Sequence, residues 1–552
     1  MKTRFTMIRL TKIIMLLFAM AGFAENPLIQ TNYTPDPAPM VYNDTVFLYT
    51  GHDEDNATGF TMYNYLLYTS TDLVNWTDHG IIATTKSFSW ANTNGAWAAQ
   101  CIPRNGKFYY YCAMQLKGIG VLVSDSPYGP FTDPLGKPIV NNGGPCIDPT
   151  VLIDDDGQAY MYWGNPDAYY VKLNKDMVSY SGNIVKIPKQ QSYQEGPWLY
   201  KKNNRYYLAW SSTCCPEGIG YAMSDSPTGP WTFKGSIMDG NSNSSGNQPG
   251  IFDFKGATYT TGFTNELWFS IQGGRTTRYE RRSANLVKLT FNADGTIPKV
   301  PWFGVGNPTP GVPQVGTFNP YDTVQAETIC FSKGVRTEVC KDSSGKMDVD
   351  SIHNGDFIKV KGADFGERGA SRFEARVASG SNGGKIEVHL DTTTGPLVAT
   401  CDVSGTGGWQ TWKTVSCDVS GAEGKHDIYF KFTGGCGLLF NFNWWRFENP
   451  VAVGTEAKRE IAAPAEVAVQ VRTGASGNRA LLIGLSRSET GKKVTVQLYG
   501  INGRLAATLF RGTVVSGALS IPIDRTRWRT GGYIVRVLIE GNVVKNGVIL
   551  LT

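Results

Sequence analysis

One short pattern recurs five times in the first 300 residues, and it narrows sharply what this chain can fold into. It reads MVYNDTVFLYTG from residue 40, CIPRNGKFYYYCAM from 101, TVLIDDDGQAYMYWGN from 150, PWLYKKNNRYYLAWSS from 197 and PGIFDFKGATYTTGFT from 249. Each copy is a short apolar strand, a polar turn built from Asn, Asp, Gly or Lys, and a second strand dense in Tyr and Phe. A further strand-like stretch follows every hairpin, and two of these, VLVSDSPYGPFTD and IGYAMSDSPTGPWTF, are nearly the same text. Five sheet-forming units with almost no helical periodicity predict a five-bladed β-propeller, in which the repeats close on themselves and leave few strand edges bare.

In such a fold the innermost strand of each blade lines a central channel, so the residue just before it faces a funnel at one end. Those positions hold Asp36, Gln100 or Cys101, Asp148, Glu195 and Gln248. Three are acids, and proline follows each at once or one residue later, in DPAP, DPT and EGP. Because proline biases the residue before it toward extended backbone, Asp36 and Asp148 are expected to be extended and held with little freedom. The funnel has no histidine triad, cysteine nucleophile or phosphate-cradling glycine loop beside these acids, so they point to hydrolysis by paired carboxylates. Glycoside cleavage is the leading case: one carboxylic acid protonates the departing oxygen while a carboxylate activates water or attacks the anomeric carbon. A third carboxylate nearby raises the acid's pKa by repulsion. Sugar rings need aromatic platforms, and Trp97, Phe60 and Trp163 lie near blade entrances.

These residues resemble glycoside hydrolase family 43, whose members are five-bladed propellers, over about residues 26–305. The resemblance rests on TNYTPDPAPMVYND, CIDPTVLIDDDG, QEGPWLYKKNNRYYLAWS and RRSANLVKLTFNADGTI. It implies Asp36 as general base, Asp148 as pKa modulator and Glu195 as general acid, inversion at the anomeric carbon, and no cofactor for catalysis. Inversion in turn predicts carboxyl groups of Asp36 and Glu195 about 6.5–9.5 Å apart. The chain departs from the family at Gln248-Pro249-Gly250, where many relatives carry His-Pro-Gly. A propeller ion held through histidine is therefore not expected, whether any ion is bound there is left open by Gln248, and Gln248 is counted with the sugar-contacting residues. Removal of α-L-arabinofuranosyl groups from arabinoxylan is the expected activity, with β-xylosidase or arabinanase as alternatives within the family. A non-catalytic sugar-binding propeller is the alternative of another class, which the intact acid trio opposes.

The rest of the chain reads as accessory parts. Residues 1–24 carry four basic residues, no acid and the apolar run IIMLLFAM, the pattern of a cleaved secretory signal peptide too short to span a bilayer. A secreted or cell-surface location follows, with no transmembrane segment expected. The propeller should occupy residues 25–305 and a Gly- and Pro-rich linker residues 306–320. From 321 to 449 the alternation predicts a β-sandwich, and GGWQTW and FNFNWWRF resemble a family 6 carbohydrate-binding module. That resemblance implies a sugar cleft at Glu338, Trp412 (or Trp409) and Asn441, with Ser351 where relatives often have a second stacking tyrosine. It also implies a structural calcium at Gln325 and Glu327, whose hard oxygens suit that ion. After a linker at 450–464, residues 465–552 read as a small C-terminal β-sandwich of sorting or anchoring type.

Of the net charge of +5, residues 451–552 supply +8 (14 Lys and Arg against 6 Asp and Glu) and the first 24 supply +4, leaving −7 for residues 25–450. An acidic body argues against nucleic acid as substrate, and the basic tail suits association with an acidic polysaccharide or envelope surface. All ten cysteines follow the leader and lack zinc-site spacing, so bridges are expected, with 101–112, 330–340 and 401–417 plausible by proximity.

Overall fold

The computed structural model describes residues 26–303 apart from 57, 245 and 272–279, residues 311–449 apart from 344 and 345, and within 468–551 the strands given below. The expected signal peptide and the 450–464 linker lie outside the described residues. Two units are described separately, residues up to 451 and residues from 452.

Five antiparallel sheets follow one another along the first unit. They are β1 (Ala38–Tyr42), β2 (Thr45–Gly51), β3 (Asn64–Ser70) and β4 (Trp76–Thr84); β5 (Ala96–Arg104), β6 (Lys107–Met114) and β7 (Gly118–Ser124); β8 (Thr150–Ile153), β9 (Ala159–Trp163), β10 (Tyr169–Leu173) and β11 (Tyr180–Lys186); β12 (Tyr193–Lys202), β13 (Arg205–Ser212), β14 (Gly218–Ser224) and β15 (Thr232–Met238); and β16 (Gly250–Phe254), β17 (Ala257–Thr264) and β18 (Ser283–Leu289). The innermost strands β1, β5, β8, β12 and β16 pack against each other in turn, and β16 returns to β1. This ring is the expected five-bladed propeller. The chain's first described segment is fastened to the fifth sheet: the Leu28 amide donates to the Ala284 carbonyl and the Thr34 amide to the Arg282 carbonyl, both at 2.8 Å.

Turn chemistry explains the repeated polar text. In four hairpins two consecutive residues have positive φ: Asn43 and Asp44, Asn105 and Gly106, Asn203 and Asn204, and Lys255 and Gly256. Two left-handed residues in a two-residue loop make a type I′ turn, whose twist matches that of the flanking strands and which favours Asn, Asp and Gly. Between the blades, Tyr and Trp side chains form the cores, with Trp76, Trp163 and Trp210 fully buried.

The second part of this unit is a sandwich of two sheets. One runs β22 (Arg336–Val339), β23 (Met347–Asp350), β30 (Asn441–Glu448), β25 (Arg372–Ala378) and β28 (Trp412–Asp418), with β19 (Val324–Gln325) also on β30. The other runs β21 (Phe331–Lys333), β24 (Phe357–Asp364), β29 (Lys425–Thr433), β26 (Gly383–Leu390) and β27 (Leu397–Ser404). A core rich in Phe, with Trp445, fills the space between them. The remaining strand, β20 (Thr328–Ile329), pairs with β4, so the sandwich contributes a fifth strand to the first blade. Asn75 reinforces this seam by donating to the Lys361 carbonyl at 3.0 Å and accepting from the Lys361 amide at 2.8 Å. Part of the expected 306–320 linker is also fastened here. Val312 is buried against the first blade, and the Gln314 amide donates to Asp72 and to the Lys361 carbonyl.

The cysteines depart from expectation. Among the described residues the sulfur–sulfur bonds are 401–417, with Cα atoms 5.2 Å apart, and 214–215. The 101–112 and 330–340 pairs are not made. In the β5–β6 register Cys101 faces Tyr110 and Cys112 faces Ala99, which sets the two cysteines diagonally rather than opposite. Cys330 packs into the core of the first blade, whereas Cys340 follows β22 in the sandwich.

The second unit contains two antiparallel sheets: β31 (Ala468–Thr473), β32 (Arg479–Gly484) and β35 (Ala518–Ile523), and β33 (Lys493–Gly500), β34 (Leu505–Thr513), β36 (Gly531–Ile539) and β37 (Asn542–Leu551). Leu481, Ile483, Val494, Val496, Val535 and Val537 form their shared core. No helix among the described residues is long and apolar enough to cross a membrane.

Candidate active site

The three predicted acids converge. Asp36, Asp148 and Glu195 line one cavity of about 200 Å³, together with Phe60, Trp97, Asn165, Gln248 and Arg282. Asp36 enters β1 and Asp148 enters β8, both buried. Their backbone is not extended as the proline rule predicts: φ is +53° at Asp36 and +59° at Asp148. Gly196, which precedes Pro197 in the fourth blade, has the same left-handed value of +59°. Three equivalent pre-proline positions thus share one turn. For the two aspartates this conformation costs about 1–2 kcal/mol, strain of the kind that gathers at functional sites. Only glycine fits at 196, since a Cβ there would lie 2.5 Å from Gln248 Oε1 and 2.7 Å from Ser211 Oγ. The Gly196 amide donates to Asp148 Oδ2 at 3.0 Å, and this contact ties the third blade to the fourth.

Arg282 organises the charge. Its Nη1 donates to Asp36 Oδ1 at 2.8 Å, while Nη2 and Nε donate to the two oxygens of Asp53 at 2.9 and 3.1 Å. The guanidinium lies between the rings of Phe60 and Phe263, 5.0 and 5.2 Å from their centroids. Burial pushes the Asp36 carboxyl up to about 6 against the opposing pull of Arg282. Asp148 stands well above the ordinary carboxylate range, through burial first and then the charges of Glu195 and Asp36. Glu195 is also raised by burial, opposed by the hydrogen bond its Oε2 accepts from Asn165 and by Arg282. One ionised carboxylate beside a cation and two carboxyls that favour protonation are the division of labour that acid–base cleavage requires.

Among the other predicted residues, Trp97, Phe60 and Gln248 line the cavity, and Phe60 is 53% exposed at its mouth. Trp163 does not. It is 0% exposed in the core between the second and third blades, stacked on Tyr169, because β9 is the second strand of its blade and not the inner one. Gln100 is structural: its Oε1 accepts from the Val151 amide. Arg282, Asp53, Asn165 and Glu217 were not foreseen; Arg282 sits inside the quoted RRSANLV text, while the others carry no local signal.

In the sandwich, Glu338, Trp412 and Asn441 come together as expected. Asn441 and Gln410 both donate to Glu338 Oε1, at 2.7 and 2.8 Å, and Trp412 Nε1 donates to Gln410 Oε1 at 3.2 Å. Gln410 also donates to Asp348, which burial pushes up to about 7. Trp409 packs against Gly380, and Ser351 donates to Asp350. Gln325 and Glu327 border a separate cavity at the seam with the first blade. Glu327 is buried with its Oε2 lacking a hydrogen-bond partner, and burial holds its carboxyl well above the usual range, so this donor fits a hard cation.

Buried carboxyls converging on one cavity of a five-bladed ring are the arrangement of a glycoside hydrolase. Residues 24–297 match the model of glycosyl hydrolases family 43, and residues 325–449 that of carbohydrate binding module family 6. An arabinoxylan arabinofuranohydrolase of Bacillus subtilis is 36% identical over 482 residues, covering 77% of this chain and 92% of that protein. One from Paenibacillus polymyxa is 37% identical over 493 residues, covering 79% and 76%. The crystal structure of a family 43 arabinoxylan arabinofuranohydrolase from Bacillus subtilis, in complex with cellotetraose, superposes with a TM-score of 0.68 at 35% identity, covering 77% of this chain and 97% of that one. The chain belongs to glycoside hydrolase family 43.

The Arg282–Asp36 contact makes a signed prediction. A general base works only when ionised, so kcat/KM should fall as pH drops through about 6, where Asp36 gains its proton. Arg282→Met removes the cation that favours the ionised form, which raises the Asp36 pKa and should move this acid limb upward by about one unit or more. Arg282→Lys should move it less. A limb unmoved in both pH–rate profiles would separate Arg282 from the base.

Proposed function

We propose that this glycosidase removes α-L-arabinofuranosyl side groups from arabinoxylan with inversion. The convergence of Asp36, Asp148 and Glu195 on one cavity, with Arg282 held on Asp36, carries the reading, and the two curated relatives support the choice of substrate. Asp36, ionised against Arg282, takes a proton from water as that water attacks the anomeric carbon. Glu195 gives its proton to the departing xylosyl oxygen. Asp148 is the modulator: Glu195 and Asp36 oppose its ionisation, and it braces the neighbouring blade through Gly196. Phe60 and Trp97 provide apolar faces for the sugar rings.

Glu195→Ala should fold normally and lose about 10²- to 10⁴-fold in turnover. Proton NMR of the first-formed anomer, over a panel of arabinofuranosides and xylosides, checks both parts of the proposal. Release of the inverted anomer from arabinofuranosides supports it; a retained anomer, or preference for xylosides, overturns it.

The Glu338, Gln410, Trp412 and Asn441 cleft is proposed to hold the wall polysaccharide. Because β20 belongs to the first blade, deleting the module would injure the propeller, so a point variant is the cleaner test. Glu338→Ala should weaken binding to insoluble xylan while kcat/KM on a small aryl arabinoside stays unchanged; equal losses would refute a targeting role.

Glu327 and Gln325 are proposed to hold a structural calcium. Added Ca²⁺ should raise the Tm, by about 2.7 kcal/mol of stability at 100 times Kd, and Glu327→Ala should abolish the response. A Tm indifferent to Ca²⁺ and to chelator would remove the site.

Export is proposed from residues 1–24, and envelope association from the basic C-terminal unit. Intact-mass analysis of the exported protein should find Glu25 at its N-terminus, and fractionation should place it in the medium or envelope. A mature chain starting at Met1 and confined to the cell interior would refute export.

A further inference from the structure

The residues that lead into Asp36 are held by two different domains. Against the fifth blade, the Leu28 and Thr34 amides donate to the Ala284 and Arg282 carbonyls. The sandwich takes three consecutive residues in the middle of this segment. The Ser332 amide of β21 donates to Gln30 Oε1 at 3.0 Å, Arg336 Nη1 of β22 donates to the Thr31 carbonyl at 2.7 Å, and Asn32 Nδ2 donates to Thr337 Oγ1 at 3.5 Å. Thr337 in turn donates to Asp78 Oδ2 of the first blade at 2.8 Å.

Arg336 also reaches a second part of the site. Its Nη2 pairs with Asp55 Oδ2 at 3.0 Å. Asp55 stands two residues after Asp53, the partner of Arg282, in the loop between β2 and β3 that runs on to Phe60. The fifth blade holds the same loop: Arg281 Nε donates to the Asp55 carbonyl at 3.1 Å, and the Gly59 amide donates to Glu280 Oε1 at 2.9 Å. One guanidinium thus bridges the approach to Asp36 and the loop that carries Asp53 and Phe60.

We propose that Arg336, a residue of the carbohydrate-binding module, is a positioning residue for hydrolysis: it fixes Thr31 and Asp55 against each other and so keeps Asp36 in contact with Arg282. The inference rests on Asp36 being the general base. Glu338, two residues along β22, is bonded instead to Asn441 and Gln410. The strand therefore serves the polysaccharide cleft with one residue and the catalytic centre with another.

The charges at both ends agree with this role. Arg336 faces Asp55, Asp350 and the Tyr33 hydroxyl. Asp36 faces Arg282, Asp53 and Glu195, and its own charge acts on Tyr65, Asp148 and Glu217. Of the groups facing it, Arg282 alone favours the ionised form of Asp36, so loosening that contact raises the pH at which Asp36 gains its proton.

Arg336→Ala tests the proposal on 4-nitrophenyl α-L-arabinofuranoside, which has no polymer chain for the module to hold. The Arg336 and Asp55 side chains are 39% and 38% exposed, so their pairing alone is modest; with the charged hydrogen bond to Thr31, its loss should lower kcat/KM about fivefold. The acid limb of the pH–rate profile should move up by about half a unit or more, while binding to insoluble xylan stays that of the parent. Combined with Asp55→Ala, the loss should be smaller than the product of the two single losses, because residues in contact do not act independently. An unchanged kcat/KM, a loss equal at every pH, single losses that simply multiply, or a matching fall in xylan binding would reduce Arg336 to a fastening between domains. Should Arg336→Ala fail to fold, Arg336→Lys, which reaches one acceptor at a time, and Asp55→Ala carry the decision. Each should move the acid limb upward by a smaller step, and a limb fixed in both would overturn the proposal. Failure of the base reading shows elsewhere, in an Asp36→Ala variant that keeps its turnover.

Discussion

The Arg282 guanidinium, buried between Asp36 and Asp53, is the interaction on which the rest of the first unit depends. Arg282 directly precedes β18, the last strand of the fifth blade, while both aspartates belong to the first. The same ion cluster therefore closes the ring and charges the site. Its backbone takes part as well, the carbonyl accepting from Thr34 and the amide donating to Asp53. One cation serves two buried carboxylates, and removing it would leave uncompensated buried charge at a cost of about 3–5 kcal/mol. Ring closure and catalysis are for this reason not separable by mutation at 282.

Around that cation the carboxyls are graded by what touches them. Asp36 has the guanidinium and can ionise. Asp148 has one amide donor and three acidic neighbours, so its charge is resisted. Glu195 and Glu217 lie further along the same gradient, with amide donors from Asn165 and Asn247. Identical functional groups acquire different tasks from the number of donors each can reach.

Much of this was legible in the residues. The five hairpins show because a type I′ turn demands Asn, Asp or Gly at two adjacent positions, and that demand writes itself into local text. Alternation identified the sandwich, and the blade register placed Asp36, Asp148 and Glu195 together. What escaped reading depends on partners remote in the chain. Arg282 meets Asp36 across 246 residues, and Glu217 is selected by a loop 30 residues away. Trp163 misled because its place at the end of a strand does not reveal which strand is innermost. The proline rule misled at Asp36 and Asp148, where the shared inward turn outweighs the local preference for extended backbone. The 101–112 cysteines misled because nearness along a hairpin says nothing of diagonal or direct pairing.

The strand that β20 lends to the first blade alters how the enzyme meets its polymer. A sugar-holding domain on a loose tether lets a catalytic head sweep a wide radius around one anchoring point. Here the two are bolted into one sheet, so a captured polymer is presented at a fixed reach and angle. Such a machine works along the fibre it grips by letting go and landing again, and its rate on solid wall material should follow how quickly the grip is released.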